Sequence, residues 1–115
     1  MKSGIMFEQG EIVIVPFPFS DLSATRKRPV LILSKNKNNL VYEDIVTCGI
    51  TSNLKDSFNS VLFDNSDLDK GAIPVKSRIK VDKLFTLDKS IILKKIAKLN
   101  KVAFEKVKEV FKELI

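Results

Sequence analysis

GEIVIVPFPFSDLSATRKRPVLILS, residues 10–34, reads as strand, polar loop, strand. Glu11–Val15 is rich in β-branched residues, which suit a pleated, half-buried surface. Pro16 and Pro18 have no N–H to give a ladder, so the first strand ends there or runs along an edge. Phe17 and Phe19 lie two apart and share a side if the chain stays extended. They either close a core or subunit contact or stack on a base. Ser20–Thr25 is polar and unpatterned, a loop. Pro29–Leu33 shows almost no alternation, as expected of a strand buried on both faces. The cluster Arg26-Lys27-Arg28 stands against Pro29 at the mouth of that second strand. Three cationic groups on a rigid frame point to an anionic partner.

Outward from this frame, Lys35–Asn39 is a turn cluster and Val41–Ile50 a third strand. The segment GITSN closes that strand with hydroxyls, Thr51 and Ser52, at its end. Ser60–Asp64 is a short fourth strand, and Asn65–Gly71 is acidic and turn-rich. Lys76–Leu87 returns as strand. If Ile79 and Val81 face inward, Lys80 and Asp82 share the opposite face. The pattern of Ile91–Leu99 fits a short helix or a strand. Asn100 is a good N-cap, and Ala103, Val107, Val110 and Leu114 follow at helical spacing beside Phe104 and Phe111. The chain is therefore expected to be mainly β with a C-terminal α-helix. The strands form a small barrel capped at its end, and their short connections make the sheet mainly antiparallel.

At 115 residues the chain suits a single domain, 1–115, with one core. A hydrophobic share of 44% against 30% charged is an ordinary globular balance and argues against a disordered chain. The net charge of +6 makes a phosphate-rich partner plausible. The single cysteine, Cys48, lies in an apolar run and reads as a small buried hydrophobe in a reducing compartment. The N-terminus lacks the apolar core of a signal peptide, and no run approaches the ~18 apolar residues of a membrane helix. A soluble, cytoplasmic protein is the expectation.

There is no histidine. That removes the Ser-His-Asp triad, paired-histidine RNA cleavage and the usual imidazole zinc ligands. Any catalysis must come from Arg, Lys, Asp, Glu, Thr, Ser or the lone Tyr42, and neither a metal nor a cofactor is expected. Three polar sites fall at strand ends or on a strand face: Arg28, Thr51-Ser52, and Lys80 with Asp82. Taken singly, each also has an ordinary structural explanation, as an ion pair, a turn cap or solvated surface.

Together and in order, GEIVIVPFPFSD, KRPVLILS, GITSN and IKVDKLFTLDK followed by an amphipathic helix closely resemble the PemK/MazF family, the toxins of type II toxin–antitoxin systems. The resemblance runs from about Gly10 to Leu114. It implies an SH3-like barrel with a C-terminal helix, working as a homodimer. It also implies a metal-independent endoribonuclease that cuts single-stranded RNA at short motifs and is neutralised by a cognate antitoxin. The family's catalytic arginine falls on Arg28 and its threonine on Thr51. The Arg-x-Asp pair of the Kid-like branch falls on Lys80 and Asp82. Ser52, Arg26, Lys27 and Phe19 are the accompanying RNA-binding candidates.

The chemistry agrees with that assignment. RNA carries its own nucleophile, the 2′-hydroxyl, so cleavage needs a base, an acid and a group that stabilises charge on the phosphorane. Arg28 can hold two phosphate oxygens in its planar fork, Thr51 or Ser52 can donate to a third, Asp82 can serve as base, and Lys80 can assist the leaving 5′-oxygen. Three departures stand out. The loop before Arg28 reads SDLSAT where many members carry Glu-Gln, the loop histidine of the Kid-like branch is missing, and lysine at position 80 lacks the guanidinium fork. Two other classes remain open at this stage. One is a same-fold toxin that poisons a protein target, as the gyrase-binding CcdB relatives do. The other is a non-catalytic SH3-like module that binds RNA or a peptide.

Overall fold

Gly10 turns at φ +91° and its N–H bonds Ile32 O at 2.9 Å, which launches β1 (Glu11–Pro18) alongside β2 (Thr25–Ile32). The computed structural model describes residues 5–18 and 25–115, without the side chains of Pro18 and Thr25. The remaining strands are β3 (Asp44–Thr51), β4 (Ser60–Phe63), β5 (Leu68–Gly71), β6 (Ser77–Asp88) and β7 (Lys94–Leu99). A short helix α1 (Asn36–Val41) precedes β3, and α2 (Lys101–Leu114) ends the chain. The strands form one curled half-barrel sheet in the order β4-β6-β3-β2-β1-β7-β5, with every neighbouring pair antiparallel. Pro16 and Pro18 extend β1 where it has only β2 beside it, because β7 pairs with β1 no further than Ile14. The missing N–H groups therefore fall on an open edge, as their chemistry requires.

The absence of alternation in β1 and β2 has its cause in two cores. Ile12 and Leu31 point into one, with Cys48, Ile50, Phe63, Ile79, Val81, Ala103 and Val107. Val13, Val15, Val30 and Ile32 point into the other, with Ile45, Phe17 and Leu87. Helix α2 covers the first core. Asn100 Oδ1 accepts from Ala103 N at 2.8 Å, satisfying one orphan donor of the first turn. Ala103 and Val107 are buried, with Phe104, Val110 and Phe111 packed at the margin. On the other side of the sheet Lys98 Nζ bonds Glu8 Oε1 at 2.6 Å, tying the N-terminal segment to β7. That bond holds the Glu8 carboxyl below its usual range and the Lys98 ammonium above its own.

Two segments depart from the sequence reading. Lys35–Asn39, expected as a turn, is the cap and greater part of α1, which also takes Val41 from the expected third strand; Asn39 is buried and accepts from Ser34 Oγ at 2.5 Å while its Nδ2 donates to Phe7 O at 3.0 Å. The end of Asn65–Gly71 is strand β5. Asn65 clamps it by accepting from Ile73 N at 2.8 Å and donating to Ile73 O at 3.2 Å. In the ambiguous Ile91–Leu99, Ile91 ends a 3-10 turn (Lys89–Ile91) and Lys94–Leu99 is strand β7. Among the described residues no helix is long and apolar enough to cross a membrane.

Cys48, on β3, is fully buried in the first core. Burial pushes its thiol up to about 12, and the carboxylate of Asp82 adds to the effect. A raised folded-state value means that the stability gained by keeping the thiol neutral is complete below the unfolded value of about 8.5–9. It is then lost as pH rises toward 12. At pH 8 the folded protein should therefore resist iodoacetamide and react readily in denaturant. Rapid native-state alkylation, followed by mass spectrometry, would contradict this burial.

Candidate functional site

The β2–β3 register sets Val30 opposite Gly49, Leu31 opposite Cys48 and Ile32 opposite Thr47. Carried two residues past Val30, it brings Arg28 level with Thr51. On the far side of β3, Thr51 pairs with Arg78 and Gly49 with Lys80. Two cross-strand rows result, Arg28–Thr51–Arg78 and Val30–Gly49–Lys80, and all six residues line one cleft of about 590 Å³. Gly49 keeps the floor of the second row low. A Cβ there would come within 3.6 Å of Lys83 Cβ and of the Phe85 ring.

The β3–β4 loop forms the outer wall and is braced from the cleft floor. Thr51 Oγ1 accepts from Asn53 N at 3.1 Å, and Asn53 Oδ1 accepts from Lys55 N at 3.0 Å. Lys80 Nζ donates to Ser57 Oγ at 3.2 Å, and Ser60 Oγ donates to Ser57 O at 2.8 Å. Phe17 and Phe85 close the opposite end as an edge-to-face pair, ring centroids 4.8 Å apart at 88°. The lining carries five cationic side chains, Arg28, Lys55, Arg78, Lys80 and Lys83, against one carboxylate, Asp56. Such a surface attracts polyanions and can hold a phosphate from several directions. Among the described residues no group of three or more acidic, cysteine or histidine side chains is clustered to bind a metal ion.

The structure thus brings Arg28, Thr51 and Lys80 together, and it does not bring Asp82 with them. Ile79 and Val81 do face the core, as the alternation required. Between Cys48/Leu84 and Gly49/Lys80, however, one step along β3 corresponds to four along β6. The three additional residues, Val81, Asp82 and Lys83, form a bulge that breaks the period of two. Lys83 lines the cleft in consequence, whereas Asp82 is exposed outside it, near enough to Cys48 to act on the thiol.

Ser52, Arg26 and Lys27 occupy a second groove of about 350 Å³, floored by Ile12, Ile14, Ile73 and Ile96 and sharing Arg28 with the first. Phe19 lies outside the described residues, and Phe17 is the aromatic of that pair found in the cleft. Arg78 was open to detection, since it stands two residues before Lys80 on the same strand face. Lys55, Asp56 and Ser57 carry no pattern, because they reach the cleft through a loop.

The fold and site define a class of small antiparallel half-barrels closed by a terminal helix, with a cation-lined cleft across β2, β3 and β6. Residues 8–115 match the family described as PemK-like, MazF-like toxin of type II toxin-antitoxin system, and the chain belongs to that family. Among solved structures it is similar to an endoribonuclease in complex with its cognate antitoxin from a mycobacterial species. The TM-score is 0.76 at 18% identity, covering 92% of this chain and 91% of the other. It is also similar to MazF from Deinococcus radiodurans, with a TM-score of 0.74, 21% identity and 96% and 97% of the two chains covered. A third is the Mycobacterium tuberculosis toxin MazF-mt6, with a TM-score of 0.73, 17% identity and coverage of 90% and 93%. A sequence search of curated proteins returned no match.

Proposed function

We propose that this toxin is an endoribonuclease that cuts single-stranded RNA in the cytoplasm and is held inactive by a cognate antitoxin. The observation that carries the reading is that Arg28 and Thr51 line one cleft with four further cations. The endoribonuclease and antitoxin named for the similar structures support it.

In the reaction the RNA 2′-hydroxyl loses its proton to water as its oxygen bonds to phosphorus, and the P–O5′ bond breaks with a proton delivered to the leaving oxygen, giving a 2′,3′-cyclic phosphate and a 5′-hydroxyl. Arg28 spans two non-bridging oxygens and stabilises the charge that grows on the phosphorane. Thr51 Oγ1 already accepts from Asn53 N, so its hydrogen is left to point outward as a donor. Lys80, steadied by Ser57, positions the phosphate or protonates the leaving 5′-oxygen. The cleft's contribution is chiefly electrostatic, aimed at charge that appears in the transition state.

The chain works as a homodimer in this reading. The second groove, with an apolar floor and Arg26 and Lys27 on its rim, suits an acidic amphipathic segment of the antitoxin. Because both grooves share Arg28, such a segment would exclude RNA. The test is incubation with a mixed-sequence RNA pool in EDTA. Cleavage should proceed, leave 5′-hydroxyl ends and stop when the purified antitoxin is added. Intact RNA across varied sequences would overturn the nuclease reading.

A further inference from the structure

Asp56 is the one carboxylate among the described residues that line a cleft otherwise rich in cations. A surface built only to hold phosphate has no use for it, since its charge repels the ligand. Yet the fold anchors it from below. Arg78, only 11% exposed, sets Nη1 at 3.4 Å from Asp56 Oδ1, whose own side chain is 94% exposed. The same Nη1 donates to Ser60 Oγ at 3.1 Å, and Nη2 donates to Leu54 O at 3.3 Å. Nε is buried with no hydrogen-bond partner among the described residues. A buried guanidinium with an orphaned N–H and a solvent-exposed partner is a poor device for stability. What it achieves is placement, because its bond to Leu54 O ties the loop to β6 and its charge draws the exposed Asp56 carboxylate toward the cleft.

We propose that Asp56 is a base-reading residue of the cleft and that Arg78 is the positioning residue that aims it. The inference rests on the cleft taking RNA. An ionised carboxylate only accepts hydrogen bonds, so it favours a base edge that offers donors. In single-stranded RNA the Watson–Crick edges are free to be read. Guanine presents N1–H and an N2 amino group side by side, matching two carboxylate oxygens. Cytosine and adenine each offer one amino group beside a ring-nitrogen acceptor. Uracil sets a single N–H between two carbonyl oxygens, which the carboxylate repels. Asp56 therefore selects guanine first and uracil last. The Phe17–Phe85 pair gives a neighbouring base an apolar wall to lie on.

The experiment uses non-cleavable 2′-deoxy heptamers, uracil throughout except for guanine moved through successive positions, with binding read by fluorescence anisotropy. At one position guanine should bind roughly ten-fold tighter than uracil. Inosine, which lacks only the N2 amino group, should lose most of that gain. Asp56→Asn should erase the guanine-over-inosine preference, and Arg78→Met should weaken it. The cleavage profile of the Asp56→Asn protein on an RNA pool should lose the same guanine. Should Arg78→Met fail to fold, the exposed Asp56 still decides the matter. Equal binding of guanine and inosine at every position would overturn the assignment, as would an unchanged preference in Asp56→Asn. So would a uniform loss of cleavage in that variant with binding preference intact, since Asp56 would then act in the chemical step. A wild type that shows the preference but cuts no RNA supports Asp56 as reader and defeats the ribonuclease reading alone.

Discussion

Arg28→Ala is expected to lower RNA cleavage by roughly 10²–10³-fold in kcat, the usual consequence of removing one preorganised donor from a developing oxyanion. The loss should fall on turnover more than on affinity. Lys55, Arg78, Lys80 and Lys83 remain in the cleft, and Arg26 and Lys27 in the neighbouring groove, so the RNA backbone is still attracted. Arg28→Lys separates charge from shape. A lysine retains the positive charge but offers a point contact where the guanidinium offers a fork, so activity should fall between the wild type and the alanine variant. Arg28 is half-buried in the middle of β2, opposite Val15, so the thermal midpoint of each variant is measured beside the rate. Cleavage by Arg28→Ala at the wild-type rate, with the fold intact, would remove the central residue from the mechanism.

The contrast between Arg28 and Asp82 shows how far the letters alone reach. Arg28 was legible because its position depends on local facts. A proline fixes the backbone after it, an apolar run follows, and an antiparallel partner ends in hydroxyls. Those facts mark the strand, the resemblance joins Arg28 to Thr51, and in the structure both residues line one cleft. Asp82 depended on a period of two holding across the whole of β6, and a bulge opposite Gly49 interrupts it. Nothing in IKVDKL announces that bulge. It becomes apparent only when β6 must serve β4 and β3 at one end and β3 alone at the other.

Helix α1 and strand β5 escaped for a related reason. Asn39 and Asn65 look like turn formers, and their propensity does favour turns. Each, however, is satisfied by partners distant in sequence or across a loop, Phe7 O for the first and the Ile73 backbone for the second. Tertiary hydrogen bonding overrode local preference in both. The outer wall of the cleft, Lys55–Ser57, was illegible in the same sense, because its place is set by Arg78 and Lys80 beneath it.

That dependence on close packing makes Gly71→Ala the substitution with the largest expected effect on stability. Gly71 sits at φ +74°, in the left-handed region, where a Cβ costs about 1–2 kcal/mol. The surroundings add a second penalty. A Cβ at this position would overlap Ile96 O and lie 2.7 Å from Ala97 Cα and 2.9 Å from Ile96 C. All three atoms belong to the backbone of β7, which cannot rotate away as a side chain could. To relieve the overlap, β5 must leave β7, giving up the Leu68–Leu99 and Lys70–Lys98 pairings and uncovering the buried Ala97 and Leu99. The combined cost is expected to be about 3 kcal/mol or more, a fall of roughly 10 °C in midpoint for a chain of this size. Gly49→Ala is the control. Its added carbon meets only ordinary contacts at 3.6 Å, so the midpoint should barely move while the cleft narrows. If Gly71→Ala melts with the wild type, β5 does not lie against β7 as described. If instead Gly49→Ala falls as far, positive φ and backbone overlap are not what distinguishes the two glycines.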